Sequence, residues 1–300
     1  MQLEYKILWA DDSHDNIETY SHPIVEFLED EGFVSKIYPC RTKIELESAI
    51  NQNMNYNLII LDFKFNDKPV GTDFIRYIRE KNIYSTIILY TAAKDVKLPE
   101  EVYKSKVQNV YTLTKHEIAD DRSLITNIIR YDLYKDLDIN SMRGIAMAEV
   151  SNMDKIIWDI LIQENIPQEH IITYIRNGKE NFYNEYKNKD DKLIWKELNK
   201  QNRSTMHFPS NDRAIFLKEY LESLSLTELQ EIIELIDVYK SEIITPRNQL
   251  AHQNTYEEMN QEECNKKFQE LRKNIIKHKN NLIELIKLRK DHLATVETSI

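Results

Sequence analysis

Leu58-Ile59-Ile60-Leu61-Asp62 decides how the first half of the chain reads. Four consecutive apolar residues closed by an acid describe a strand covered on both faces, with a carboxylate at its C-terminal end. A second run of the same kind, Thr86-Ile87-Ile88-Leu89-Tyr90, lies downstream and is followed by Thr91. Outward from these two lie the apolar runs 5–10, 34–38 and 109–113. Amphipathic stretches near 15–31, 42–53, 71–82, 98–106 and 117–136 separate them and predict helices. Strand and helix alternating five times over predict an α/β unit, a parallel sheet with helices on both faces.

In an open sheet of this kind, sites form beyond the C-terminal ends of the strands, where the strand order switches. Asp11 and Asp12 follow the first run, Asp62 the third and Thr91 the fourth, and Lys115 comes just after the fifth. Carboxylates converging there repel one another unless a cation joins them, and hard oxygen ligands suit Mg2+. Such a metal would neutralise an incoming phosphoryl group while one carboxylate attacks phosphorus. A hydroxyl and an ammonium, Thr91 and Lys115, would then hold the phosphoryl oxygens. Taken singly, each acid also reads as a loop-end carboxylate facing water.

The segments 6–12 (KILWADD), 58–62 (LIILD), 87–92 (IILYTA) and 113–115 (LTK) resemble the receiver domains of response regulators, over about 135 residues. The resemblance implies a flavodoxin-like (βα)5 fold for residues 1–136. It implies Asp11 and Asp12 as Mg2+ ligands, Asp62 as phospho-acceptor and further ligand, and the backbone carbonyl of Lys64 as another. It also implies Thr91 as the switch hydroxyl, Tyr111 as the switch aromatic and Lys115 as the phosphoryl contact. The expected partner is a sensor histidine kinase or a phosphotransfer protein. His116 departs from the family, which usually has proline there, so a cis peptide is not expected. A receiver-like fold that is never phosphorylated, kept as a docking scaffold, is the alternative.

From about residue 140 the pattern turns helical, with expected helices at 143–164, 168–187, 190–200, 211–222, 226–243, 247–253 and 257–290. The stretch Thr245-Pro246-Arg247-Asn248-Gln249-Leu250-Ala251-His252 stands out. Thr245 can cap a helix and Pro246 suits its first turn. Asn248 and His252 then share a face, whereas Arg247 and His252 do not on a straight helix; a bend, the length of the arginine or a second chain across a dimer axis would bring them together. The spacing resembles the HEPN superfamily, all-helical proteins of which many are metal-independent ribonucleases that work as paired copies. The resemblance implies His252 as general acid or base, Arg247 as stabiliser of the anionic phosphorane, and Asn248 as a positioning group. A helix terminus with a structural histidine is the plainer reading. Glu149 would orient this site or form a surface salt bridge. The basic set Lys266, Lys267, Arg272, Lys273, Lys277, Lys279, Lys287, Arg289 and Lys290 would line a phosphate track or simply face solvent.

The chain has 300 residues and a net charge of −10, with no basic half to mark a nucleic-acid binder by charge alone. Four glycines leave no room for a glycine-rich nucleotide loop, and neither nucleotide fingerprint occurs. Cys40 and Cys264 match no zinc spacing and read as buried or free thiols. There is no apolar run long enough to span a membrane and no signal-peptide pattern, so the expected compartment is the cytoplasm. The organisation expected is 1–136 and 140–300: a receiver regulating a HEPN-like ribonuclease, as a homodimer, with RNA as target and stress or phage defence as setting. A non-catalytic phosphorelay adaptor or phosphate buffer, whose helical half dimerises or binds a partner, is the rival.

Overall fold

The computed structural model describes residues 3–52, 55–65, 68–69, 71–120, 122–163, 172–173, 190, 209–224, 227–251, 256 and 259–297. Contacts divide the chain into two compact units, 1–142 and 143–300.

The first unit is built on five strands: β1 (Glu4–Ala10), β2 (Val34–Cys40), β3 (Leu58–Asp62), β4 (Thr86–Thr91) and β5 (Val110–Thr114). All four pairings are parallel and the strand order is β2-β1-β3-β4-β5, the flavodoxin-like order. Between the strands run α1 (His14–Asp30), α2 (Lys43–Asn51), α3 (Gly71–Glu80) and α4 (Leu98–Lys104). After β5 come α5 (Lys115–Asp120) and α6 (Arg122–Asp136), where the sequence predicts one helix over 117–136. A five-stranded parallel sheet with helices in this order fits a receiver-type fold.

Each central strand is apolar on both sides because both faces are covered. Leu58, Ile59, Ile60 and Leu61 are fully buried, as are Ile87, Ile88 and Leu89. Side chains alternate along a strand, so Leu8, Ile59, Leu61, Ile87 and Leu89 turn to one face. There they pack with Leu46 and Ile50 of α2, Phe74, Ile75 and Ile78 of α3, and Leu98 of α4. α1 and α6 lie against each other and contribute Ile24, Leu28, Ile125, Ile129 and Leu133 to the remaining core.

Just past Asp62 the chain folds into a two-residue antiparallel ribbon, with Lys64 opposite Pro69 and Phe65 opposite Lys68. The return is tight. A Cβ on Gly71 would stand 2.8 Å from Leu89 Cδ1, 2.8 Å from the Phe63 Cα and 3.1 Å from the Asp62 carbonyl oxygen. Glycine is therefore required where α3 starts against the backbone of the acidic loop.

The helical unit contains most of α7 (Ile139–Gln163), then α8 (Ser210–Ser223), α9 (Gln230–Tyr239), α10 (Thr245–Ala251) and α11 (Gln261–Glu297). The helices expected at 168–187 and 190–200 lie outside the described residues, apart from 172–173 and 190. Leu217, Leu221, Ile232, Ile243, Leu250, Leu271, Ile275 and Leu285 form its buried seams. One expectation is corrected here. Thr245 and Pro246 do not open a new helix; a π-helical stretch, Lys240–Ile244, joins α9 to α10 without a break. Pro246 explains the wider turn: its ring crowds the carbonyl of Glu242 and it has no N–H to donate there. The amide of Thr245 instead donates five residues back, to the Lys240 carbonyl.

Gly71→Ala is expected to destabilise the first unit by about 1–3 kcal/mol, the cost of overpacking against backbone that cannot yield. Urea unfolding of the full chain checks this. An unchanged midpoint would mean that the loop after Asp62 is not held as described.

Candidate functional site

Register brings the acids together. Ala10 pairs with Leu61 across β1 and β3, so Asp11 and Asp62 emerge side by side at the same end of the sheet. Asp12 follows, and one carboxylate oxygen from each of the three lies within 4.8 Å of the others. The three differ in exposure: Asp11 is buried, Asp62 half-buried and Asp12 exposed.

Asp11 is the most constrained. Its Oδ1 accepts from the backbone amide of Ser13 at 2.8 Å, and the Asn16 amide nitrogen reaches Oδ1 and Oδ2 at 3.3 and 3.0 Å. The Tyr90 hydroxyl donates to Oδ2 in a short bond, and itself accepts from the Trp9 indole N–H at 3.3 Å. Burial and the neighbouring Asp11 hold the Tyr90 phenol far above its ordinary range, so it remains a donor. Among the described residues, Asp62 has one comparable anchor, the amide of Lys64, at 2.9 Å from its Oδ1. Burial pushes the Asp62 carboxyl up to about 7; the Lys64 amide works against this, Asp11 and Asp12 add to it, and Lys115 opposes it.

Lys115 Nζ donates to Asn16 Oδ1 at 2.7 Å and lies 5.8 Å from the centre of the Tyr20 ring. Thr91 ends β4, nearly fully buried, and its Oγ1 accepts from the Ala93 amide at 3.1 Å. Sequence reasoning missed two members of this group. Asn16 reads as an ordinary polar helix residue, and Tyr90 as one more aromatic in a buried run. The only available signals were a hydroxyl inside an otherwise apolar strand and an amide one helical turn past an acid pair.

Tyr111, expected as the switch aromatic, pairs with Ile88 across β4 and β5, and Thr112 pairs with Leu89. Alternation sends Thr112 into the groove it shares with Thr91, Leu98 and Thr114. Tyr111 turns to the other face, lining a cavity of about 280 Å³ with Tyr84, Ile128 and Tyr131.

In the helical unit, Arg247 is half-buried. Its Nη1 lies 3.9 Å from Met147 Sδ, and among the described residues its buried Nε has no hydrogen-bond partner. Its charge is felt by Asp154 and by the buried Tyr239. Asp154 Oδ2 accepts from the Ser210 hydroxyl at 2.5 Å, and Oδ1 is buried without a hydrogen bond. Burial raises the Asp154 carboxyl, while Ser210, Arg213 and Arg247 draw it back. Asn248 is exposed, and His252 lies outside the described residues. Glu149 pairs with Lys279 at 2.8 Å, and Asp154 senses the charge of Arg247. The basic set on α11 is not one open track: Arg272 is buried, Lys277 and Lys279 are ion-paired, and the side chains of Arg289 and Lys290 lie outside the described residues. Among the described residues, no helix is long and apolar enough to cross a membrane.

In the metal-free protein the raised Asp62 carboxyl has a definite consequence for stability. Its ionisation is unfavourable in the fold, so the cost is absent below the unfolded value of about 4, grows with pH, and is complete above about 7. Asp62→Asn is therefore expected to stabilise the metal-free chain by roughly 1–3 kcal/mol near pH 8, a gain that shrinks toward pH 5. Thermal melts in chelator across that range check it; a gain that grows on acidification would contradict the placement of Asp62.

No family model and no curated relative matches the chain. Solved structures similar to its N-terminal part include receiver domains. A BeF3-activated DrrB receiver domain is 18% identical, with 44% of this chain and 98% of that one covered at a TM-score of 0.34. A response regulator receiver domain protein from Clostridium thermocellum is 25% identical, over 43% of this chain and 98% of that one, at 0.33. The Vibrio cholerae chemotaxis protein CheY4 is 21% identical, over 37% and 87%, at 0.29.

Proposed function

We propose that residues 1–136 are a Mg2+-dependent phospho-acceptor domain in which Asp62 takes a phosphoryl group from a histidine kinase or phosphotransfer protein. The observation that carries this reading is the convergence of three carboxylates beside an ammonium held on Asn16. The donor set fits Mg2+: it consists of hard oxygens, and burial together with two neighbouring anions makes ionised Asp62 unfavourable until a cation joins it. Asp11, Asp12, Asp62 and the Lys64 carbonyl would hold the metal, which when bound supplies positive charge for the incoming phosphoryl oxygens. Asp62, half-buried and anchored among the described residues by the Lys64 amide, would act as nucleophile. Lys115 and the Thr91 hydroxyl are the groups that would receive the new anion.

Trp9 is fully buried and two hydrogen bonds from Asp11, which makes it a reporter. Beryllofluoride with Mg2+ is expected to change the fluorescence of the wild-type chain and to leave that of Asp62→Ala unaltered. Equal responses would refute the acceptor assignment.

For residues 140–300 we propose a HEPN-like output whose activity the receiver controls. Arg247, beside buried Asp154 and with an Nε that has no hydrogen-bond partner among the described residues, is the observation that favours a site there. In this reading Arg247, Asn248 and His252 cleave RNA without a metal in paired copies, in a defence or stress response. Arg247→Ala and His252→Ala are each expected to lower RNA cleavage by about 10²- to 10⁴-fold. Absence of RNA turnover in the wild type, or its survival in both variants, would favour the rival reading of a non-catalytic phosphorelay adaptor.

A further inference from the structure

The acidic pocket holds a cation of its own at a distance. Lys115 donates to a neutral amide oxygen, that of Asn16, although three carboxylates stand nearby and the charge of Lys115 is felt at Asp62. The same side chain turns its amide nitrogen to both oxygens of buried Asp11. Asn16 lies on the first turn and a half of α1, so its backbone is fixed by the helix that follows Ser13.

We propose that Asn16 is a positioning residue for Lys115: a spacer that keeps the ammonium from collapsing onto Asp62 or Asp12 and holds it ready for the phosphoryl oxygens. A free ammonium beside a cluster of anions would pair directly with one of them, and that pair would have to break each time a phosphoryl group arrived. The amide oxygen takes one of the three ammonium hydrogens and leaves two for the incoming anion. It can do so because the other end of the amide is anchored on Asp11, itself locked by Ser13 and Tyr90. The Tyr20 ring flanks the ammonium at 5.8 Å and limits where it can swing. An aspartate at position 16 would accept from Lys115 equally well but would repel Asp11; a leucine of similar size would hold neither. Of these three, the amide alone satisfies both neighbours. This assignment rests on the acceptor reading of Asp62.

The test is a double-mutant cycle on the full chain, with beryllofluoride affinity measured by calorimetry at saturating Mg2+. Lys115→Met is expected to weaken beryllofluoride by about tenfold or more, as loss of a charge-assisted contact. Asn16→Ala and Asn16→Leu are each expected to weaken it about three- to tenfold in the wild-type background and by less than about twofold in the Lys115→Met background. An Asn16 effect that persists undiminished without the lysine would show that Asn16 acts through Asp11 or the fold, and would overturn the proposal. So would the absence of any effect in the wild-type background. A folded wild-type chain that binds no beryllofluoride would overturn the acceptor reading, and this assignment with it.

Discussion

Like charges forced together at the end of a parallel sheet are the constraint on which the first unit depends. Ala10 and Leu61 are in register, neighbouring strands lie about 4.8 Å apart, and each of these residues is followed by an acid. The repulsion is therefore built into the backbone, and no side-chain rotation removes it entirely. What the fold supplies is partial compensation, unevenly shared. Among the described residues, Asp11 receives donors from Ser13, Asn16 and Tyr90, and Asp62 receives one, from Lys64. The difference separates a fixed carboxylate from one whose charge remains unresolved, and that unresolved charge is the chemical potential of the site.

The surroundings preserve this asymmetry. Trp9 orders Tyr90, and Tyr90 orders Asp11, all within the covered part of the sheet. Around Asp62 the chain turns through the short ribbon and returns at Gly71, where lack of a side chain lets α3 begin against the acid's own carbonyl. The helical unit solves its polar burial differently. Asp154 is accompanied by Arg213, Arg247 and the Ser210 hydroxyl, so its countercharge is resident. One unit leaves an anionic pocket short of positive charge; the other encloses an acid among arginines.

The strands and their order of use could be read from residues alone because parallel strands buried on both faces admit only apolar runs, and 58–61 and 86–90 leave no other reading. The acids at their ends were legible for the same reason: a charge that stops such a run must lie at the sheet's rim. The face that Tyr111 takes follows from the register of β5 with β4, which residue type alone does not give. Asn16 and Tyr90 were hidden because their roles depend on partners 99 and 79 residues away. The π-helical stretch before Thr245 was hidden too: Thr-Pro is a sound helix-start signal, and only the continuity of Ile236, Ile243 and Leu250 as a buried seam overrides it. For 140–300, helical periodicity shows helices and cannot show how they pair.

Chemical trapping of the modified residue tests the central claim most directly. The full chain would be incubated with acetyl phosphate and Mg2+, reduced with borohydride to convert any acyl phosphate to an alcohol, digested and mapped by mass spectrometry. The account predicts reduction at Asp62, dependent on Mg2+, with Asp11 and Asp12 untouched. Reduction at another carboxylate, or none in a folded and Mg2+-saturated chain, would contradict it.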